Sequence, residues 1–164
     1  MPPRMKDMTI KHLMIVCLLL LGSFTPHASM SDDLIAPSPD LEPQEVVEIQ
    51  LLGLKLSKGR ADSLEMEQVW RFAHPDNKRV TGPIQRFAML FALPAYRPLL
   101  GHSDYQITLI DKTSDMAQLR VRITADDGKA YLYDWVVGRA TQGADDGSFM
   151  TLSVSIPQGA GQSS

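Results

Sequence analysis

The chain is nearly devoid of cysteine. Its 164 residues include one, Cys17. Beyond that position no disulfide, cysteine nucleophile or thiolate metal ligand can form. A basic excess is missing too: 16 Lys and Arg stand against 19 Asp and Glu, a net charge of -3. No positive stripe awaits a nucleic acid, and none is expected as a partner. The apolar run Leu13–Leu21 (LMIVCLLLL) has nine residues, against about 20 for a membrane span, so no stable membrane anchor is expected. Phosphate-loop, G-x-S-x-G and G-x-G-x-x-G patterns are absent, so no cofactor has a visible handle. After residue 31 the histidines are His74 and His102, with no H-x-H or H-x-x-x-H pair, and no metal site is expected.

Against those absences stands an amino terminus of a recognisable kind. Arg4, Lys6 and Lys11 precede the apolar run, and small and polar residues follow it to Ser31. This is the three-part pattern of a secretory signal peptide, and it predicts export to an exterior, a periplasm or an organellar lumen. Removing residues 1–31 takes away three basic residues and Asp7, leaving 13 basic and 18 acidic residues and a net charge of -5. Residues 32–43 hold three prolines and read as a flexible leader. Residues 44–157 read as one domain, and 158–164 as a disordered tail. Hydrophobic residues at 44% and charged residues at 21% are ordinary for a globular body.

Helix signals come first. After Pro43, residues Val47, Leu51 and Leu54 keep helical spacing, Val46, Ile49, Leu52 and Leu56 widen the stripe to a helix buried over much of its circumference, and Lys58-Gly59 ends the run. Asp62 with Glu65 resembles a capping box, and Met66, Val69, Trp70 and Ala73 continue on one face until His74-Pro75. Ile84, Phe87, Ala88 and Phe91 form a third helix, closed by Leu93-Pro94. Strand signals follow: Tyr105 to Leu109, Leu119 to Ile123, residues 129–139 and Met150 to Ile156. These elements predict an α+β fold, three N-terminal helices packed on one face of a four-stranded antiparallel meander. The turn at Ala125–Lys129 sets the register. A type I turn with Gly128 as a bulge puts Arg120 opposite Asp134 and Tyr133 opposite Val121. A slip of one residue would send a carboxylate into the core, which is costly.

Several phrases are similar to a known family. Trp70–Asn77 (WRFAHPDN) resembles the W-x-F-A-x-P-x-N segment of domain of unknown function 4864. Thr81–Ala88 (TGPIQRFA) resembles its T-G-P-L-x-R-F-A, and Tyr96–His102 (YRPLLGH) its Y-R-P-L-L-G-H. Tyr133-x-Trp135 and Phe149-Met150-Thr151 resemble its Y-x-W and W-M-T pieces, with Phe149 standing where the pattern has Trp. The similarity covers about residues 46–157. The resemblance implies a cystatin-like, NTF2-like fold, a helix layer on a curved sheet. It implies no particular activity and carries over no catalytic residues.

Two functional readings follow. In the first, the chain is an exported non-catalytic domain that binds a small apolar or anionic ligand, or a partner protein. Tyr131, Tyr133, Trp135 and Trp70 would line a pocket between sheet and helices, and Arg86 and Arg97 would meet an anionic group. Plainer roles are available to each: core packing for the aromatics, pairing with acids or bracing of residues 94–102 for the arginines. Buried Trp and Tyr need polar partners, for which Gln68, Arg71 and Gln85 are candidates. Leu132 and Val136 fall on the outer sheet face, a surface suited to a homodimer. In the second reading, a small isomerase or hydrolase uses Asp134 or His74 as general base, with Tyr133 orienting the substrate. Against that, Asp134 can pair across strands with Arg120, and His74 can cap the last carbonyls of its helix. His102-Ser103-Asp104 has a triad's residue types, but consecutive residues cannot converge as a triad must.

Overall fold

A computed structural model of the chain describes residues 34–159, so the signal segment read at 1–31 and the tail after Gly159 lie outside the described residues. Four helices come first: α1 (Pro43–Ser57), α2 (Leu64–Arg71), α3 (Pro75–Thr81) and α4 (Ile84–Leu90). A 3-10 turn, Arg97–Leu99, crosses to the sheet. Strands β1 (Asp104–Lys112), β2 (Met116–Thr124), β3 (Ala130–Arg139) and β4 (Phe149–Val154) follow as an antiparallel meander in the order 1-2-3-4. A short β5 (Gln158–Gly159) also pairs with β3. The fold is α+β with the helices first, as expected, but with four helices instead of three. Among the described residues no helix is long and apolar enough to cross a membrane.

The added helix is α3. Pro75 stops α2, as expected, but it also sits at the first position of a new helix, where its missing N–H costs nothing. None of its residues is buried, so no apolar period announced it. Another correction concerns the start of α2. Ser63, not Asp62, caps it: Ser63 Oγ accepts the Met66 N–H at 3.1 Å. The Asp62 carboxylate instead pairs with Arg60. Gly53 lets α1 and α2 approach closely. A Cβ there would stand 2.8 Å from the Glu65 carbonyl oxygen and 2.6 Å from a Val69 methyl.

The sheet register follows the bulged turn. Ala125 N–H donates to Lys129 O at 2.9 Å, and Gly128 takes φ +78°. Arg120 faces Asp134 and Val121 faces Tyr133. Alternation then decides the two faces. Leu119, Val121, Ile123, Tyr133, Trp135 and Val137 are buried beneath the helices, where they join Val46, Val47, Leu51, Leu54, Val69 and Phe87 in one core. Arg120, Arg122 and Asp134 lie on the other face. The leader is held more firmly than its composition suggests, since the Gln68 side-chain amide accepts from Ile35 N–H and donates to Ile35 O. Leu41 packs against the core as well. Strand β4 ends at Val154, earlier than the alternation predicts, and leaves Ile156 exposed.

Candidate functional site

A cavity of about 390 Å³ lies between the helices and the β4 side of the sheet. Its walls are Leu54 of α1, Val69 of α2, Phe87, Leu90 and Phe91 of the α4 region, Leu99, and Val154 of β4. Asp76, Asn77, Val80 and Thr81 of α3 line it as well. Val80 is largely exposed, so α3 forms the rim. The volume lies toward the lower end of the usual range for small-molecule pockets.

Apart from the α3 rim, Tyr96 and Ser153, the polar groups of this wall gather at one place. Gln50, Trp135 and Thr151 all line the cavity, and all three are almost fully buried. Gln50 Nε2 donates to Val69 O at 2.9 Å. That carbonyl is one of the last four of α2, which lack intrahelical partners, so Gln50 on α1 completes the end of α2. The bond fixes the amide orientation and turns Oε1 toward the sheet. Trp135 Nε1–H is shared between Thr151 Oγ1 at 3.0 Å and Gln50 Oε1 at 3.3 Å, and the Thr151 hydroxyl donates to Gln50 Oε1. One Gln50 N–H and one Thr151 lone pair remain beyond these bonds.

Sequence reasoning missed Gln50, although a signal for it exists. Gln50 lies four residues from Val46 and from Leu54, inside the apolar stripe of α1. The polar partners of the aromatics are not those expected: Gln68 is spent on the leader, and Gln85 is exposed.

The residues singled out earlier fall in different places. Trp135 alone among the expected pocket residues lines this cavity. Tyr133 is fully buried beside the helices, and its hydroxyl donates to Ala95 O at 2.8 Å. Burial raises its phenol pKa well above the ordinary value. Trp70 packs at a tilt against Phe87, with ring centroids 5.0 Å apart, and has Lys78 over its face. Arg86 braces the α3–α4 junction by donating to Thr81 O and Val80 O. Arg97 and Tyr131 sit together in a second, open concavity with Lys58, Asp126 and Asp127.

The possible bases do not converge on the cavity. Asp134 lies on the outer sheet face in a two-bond pair with Arg120, Oδ1 to Nε at 2.9 Å. Contrary to the expected capping of the last carbonyls of α2, His74 caps the start of α3, its Nδ1 accepting from Asp76 N–H at 3.1 Å. His102 is wholly buried between the 3-10 turn and β1. Its Nδ1 donates to Leu99 O at 2.9 Å, and its Nε2 has no partner. Burial pulls its pKa below the ordinary imidazole value. Leu132 and Val136, placed on the outer face, are half-buried. Comparison with protein families, curated proteins and solved structures gives no match for the chain.

Proposed function

We propose that this chain is an exported binding domain whose cavity takes a small, uncharged, mostly apolar molecule bearing one hydrogen-bonding group. The observation that carries the reading is the lining itself, a largely apolar wall that holds the buried Gln50–Thr151–Trp135 cluster beneath a rim with Asp76, Asn77 and Thr81. Such a pattern suits a ligand whose bulk is held by burial and whose orientation is fixed by one polar contact. Asp76 is the one charged residue of the lining, and it is paired with Arg79. No cation of the lining would offset the cost of burying an anionic ligand. Of the two ligand chemistries considered, apolar and anionic, the cavity therefore favours the first.

Size narrows the class further. A cavity of ~150 Å³ holds benzene, with six heavy atoms. In proportion, this one accommodates about fifteen. The signal-peptide pattern of residues 1–31 supports export. Helices on one face of an antiparallel meander, with a cavity beneath them, support the NTF2-like and cystatin-like reading and the resemblance to domain of unknown function 4864.

Calorimetric titration with 1-octanol, 1-chlorooctane and octanoate tests the proposal. The expected order is octanol tightest, with octanoate weaker by about tenfold or more. Gln50→Leu should narrow the gap between octanol and chlorooctane. Octanoate binding as tightly as octanol, or no saturable binding of any of the three, would overturn it.

A further inference from the structure

The two edges of the sheet are finished differently. At the β4 edge, Thr151 N–H donates to Phe72 O and His74 N–H donates to Thr151 O, each at 2.8 Å, so the α2–α3 link pairs with the strand and covers it. Among the described residues no strand pairs with the outer edge of β1. Its N–H and C=O groups on that side form a template for another strand.

The surface beside that edge is apolar. Tyr105, Ile107 and Leu109 stand opposite Ile123, Val121 and Leu119 on the helix side of the sheet. Their β2 partners are fully buried, yet Leu109 is 41% exposed. Helix α1 runs alongside β1 in the opposite direction. Lys55 Nζ donates to Ser103 O at 3.3 Å near one end, and Lys112 pairs with Glu42 at the other. Leu52, 56% exposed, and Leu56, 54% exposed, lie on the side of α1 turned away from the core, so the buried stripe of this helix is narrower than the spacing predicted. The outer sheet face, by contrast, has the Arg120–Asp134 pair at its centre.

We propose that this edge and the adjoining face of α1 are the contact between two copies of the chain, with β1 pairing antiparallel to β1 across a two-fold axis. The segment Tyr105–Leu109 (YQITL) has no charge and no proline. An axis at Ile107 sets Tyr105 against Leu109 of the second copy and Ile107 against its own equivalent, apolar on apolar. On the other face Gln106 meets Thr108. The irregularity between Leu109 and Asp111 marks where regular pairing stops.

Charge selects a second copy in this orientation. Glu42, Glu45 and Glu48 lie at the start of α1, and Lys55, Lys58 and Arg60 at or after its end. β1 starts with Asp104 and ends with Asp111 and Lys112, whose charges offset each other. A two-fold axis reverses α1, so its acidic end faces the basic end of the second copy's α1. An isologous contact of this kind closes on itself and stops at two copies. The nine residues of β1 with a few of α1 fall short of the ~20 residues a side of a standard interface. The dimer is accordingly weak and reversible.

Sedimentation velocity on the full chain, from low to high micromolar concentration, tests this. The expected result is a monomer–dimer equilibrium in which Leu109→Lys and Leu52→Lys each raise the dissociation constant about tenfold or more. Met89→Lys, at an exposed apolar position on α4, should leave it unchanged. Circular dichroism identifies any variant that has not folded. A monomer at every concentration, or association that folded Leu109→Lys and Leu52→Lys variants both leave intact, overturns the proposal.

Discussion

Replacing Gln50 with Leu keeps roughly the volume of the side chain and removes its hydrogen bonds. The Val69 carbonyl loses the donor that completes α2, and the Thr151 hydroxyl loses its acceptor. Trp135 keeps Thr151 Oγ1 at 3.0 Å. Two buried polar groups left without partners cost about 1–3 kcal/mol each, and the apolar replacement returns part of that. The net expectation is a loss of roughly 2–4 kcal/mol, a drop of about 10 °C in Tm. Urea unfolding followed by tryptophan fluorescence measures it, with an unchanged m-value showing that the transition itself is the same. Thr151→Val removes the other acceptor of the Trp135 N–H and should cost about 1–2 kcal/mol. Because the three side chains share their bonds, the double variant should depart from the sum of the singles by more than ~0.5 kcal/mol. A Gln50→Leu protein as stable as the parent, or a strictly additive cycle, would refute the idea that these groups form one bonded unit.

Three further outcomes follow from the packing. His102 is buried with a lowered pKa, so near its ordinary value of about 6.5 the unfolded chain takes up a proton that the folded one refuses. Stability therefore falls as pH drops from about 7 toward 5, and thermal melts of His102→Gln should show a flatter dependence; a slope equal to that of the parent contradicts the assignment. Gly53→Ala should destabilise by about 1–3 kcal/mol despite alanine's better helix propensity, because the Glu65 carbonyl cannot move away as a side chain would; a stabilised variant in chemical denaturation contradicts the close approach of α1 and α2. Ser63→Ala should cost about 1 kcal/mol by the same assay, while Asp62→Ala leaves the midpoint in place; the reverse pattern would return the cap to Asp62.

The sheet was the most legible part of the chain. Its strands alternate with period two, and one choice of turn buries Tyr133 and Trp135 while giving Asp134 a cationic partner, so the register was fixed by the cost of the alternative. Helices α1 and α4 were legible for a similar reason, each carrying an apolar stripe at helical spacing. α3 was not, because a helix that buries nothing leaves no period, and Pro75 reads equally well as a stop and as a start. The cavity could not be read either. Its volume depends on how α2 and α4 sit above β4, a tertiary matter that no local pattern encodes. Trp135 was identified from its place in the strand, whereas Gln50 required the converse inference, a polar residue on a buried stripe that must meet a polar partner. The arginines drew attention through their positions in family-like phrases. Arg86 proves to be tied to backbone carbonyls of the α3–α4 junction.

The chain has two tryptophans, Trp70 and Trp135, so its indole N–H groups give at most two resonances in a ¹H–¹⁵N spectrum, and Trp70→Phe assigns them. Titration with 1-octanol should shift the Trp135 indole resonance along a saturating, one-site curve, since that N–H belongs to the polar cluster of the cavity wall. A Trp135 resonance that stays in place while octanol is added to excess would contradict the claim that this cavity receives the ligand.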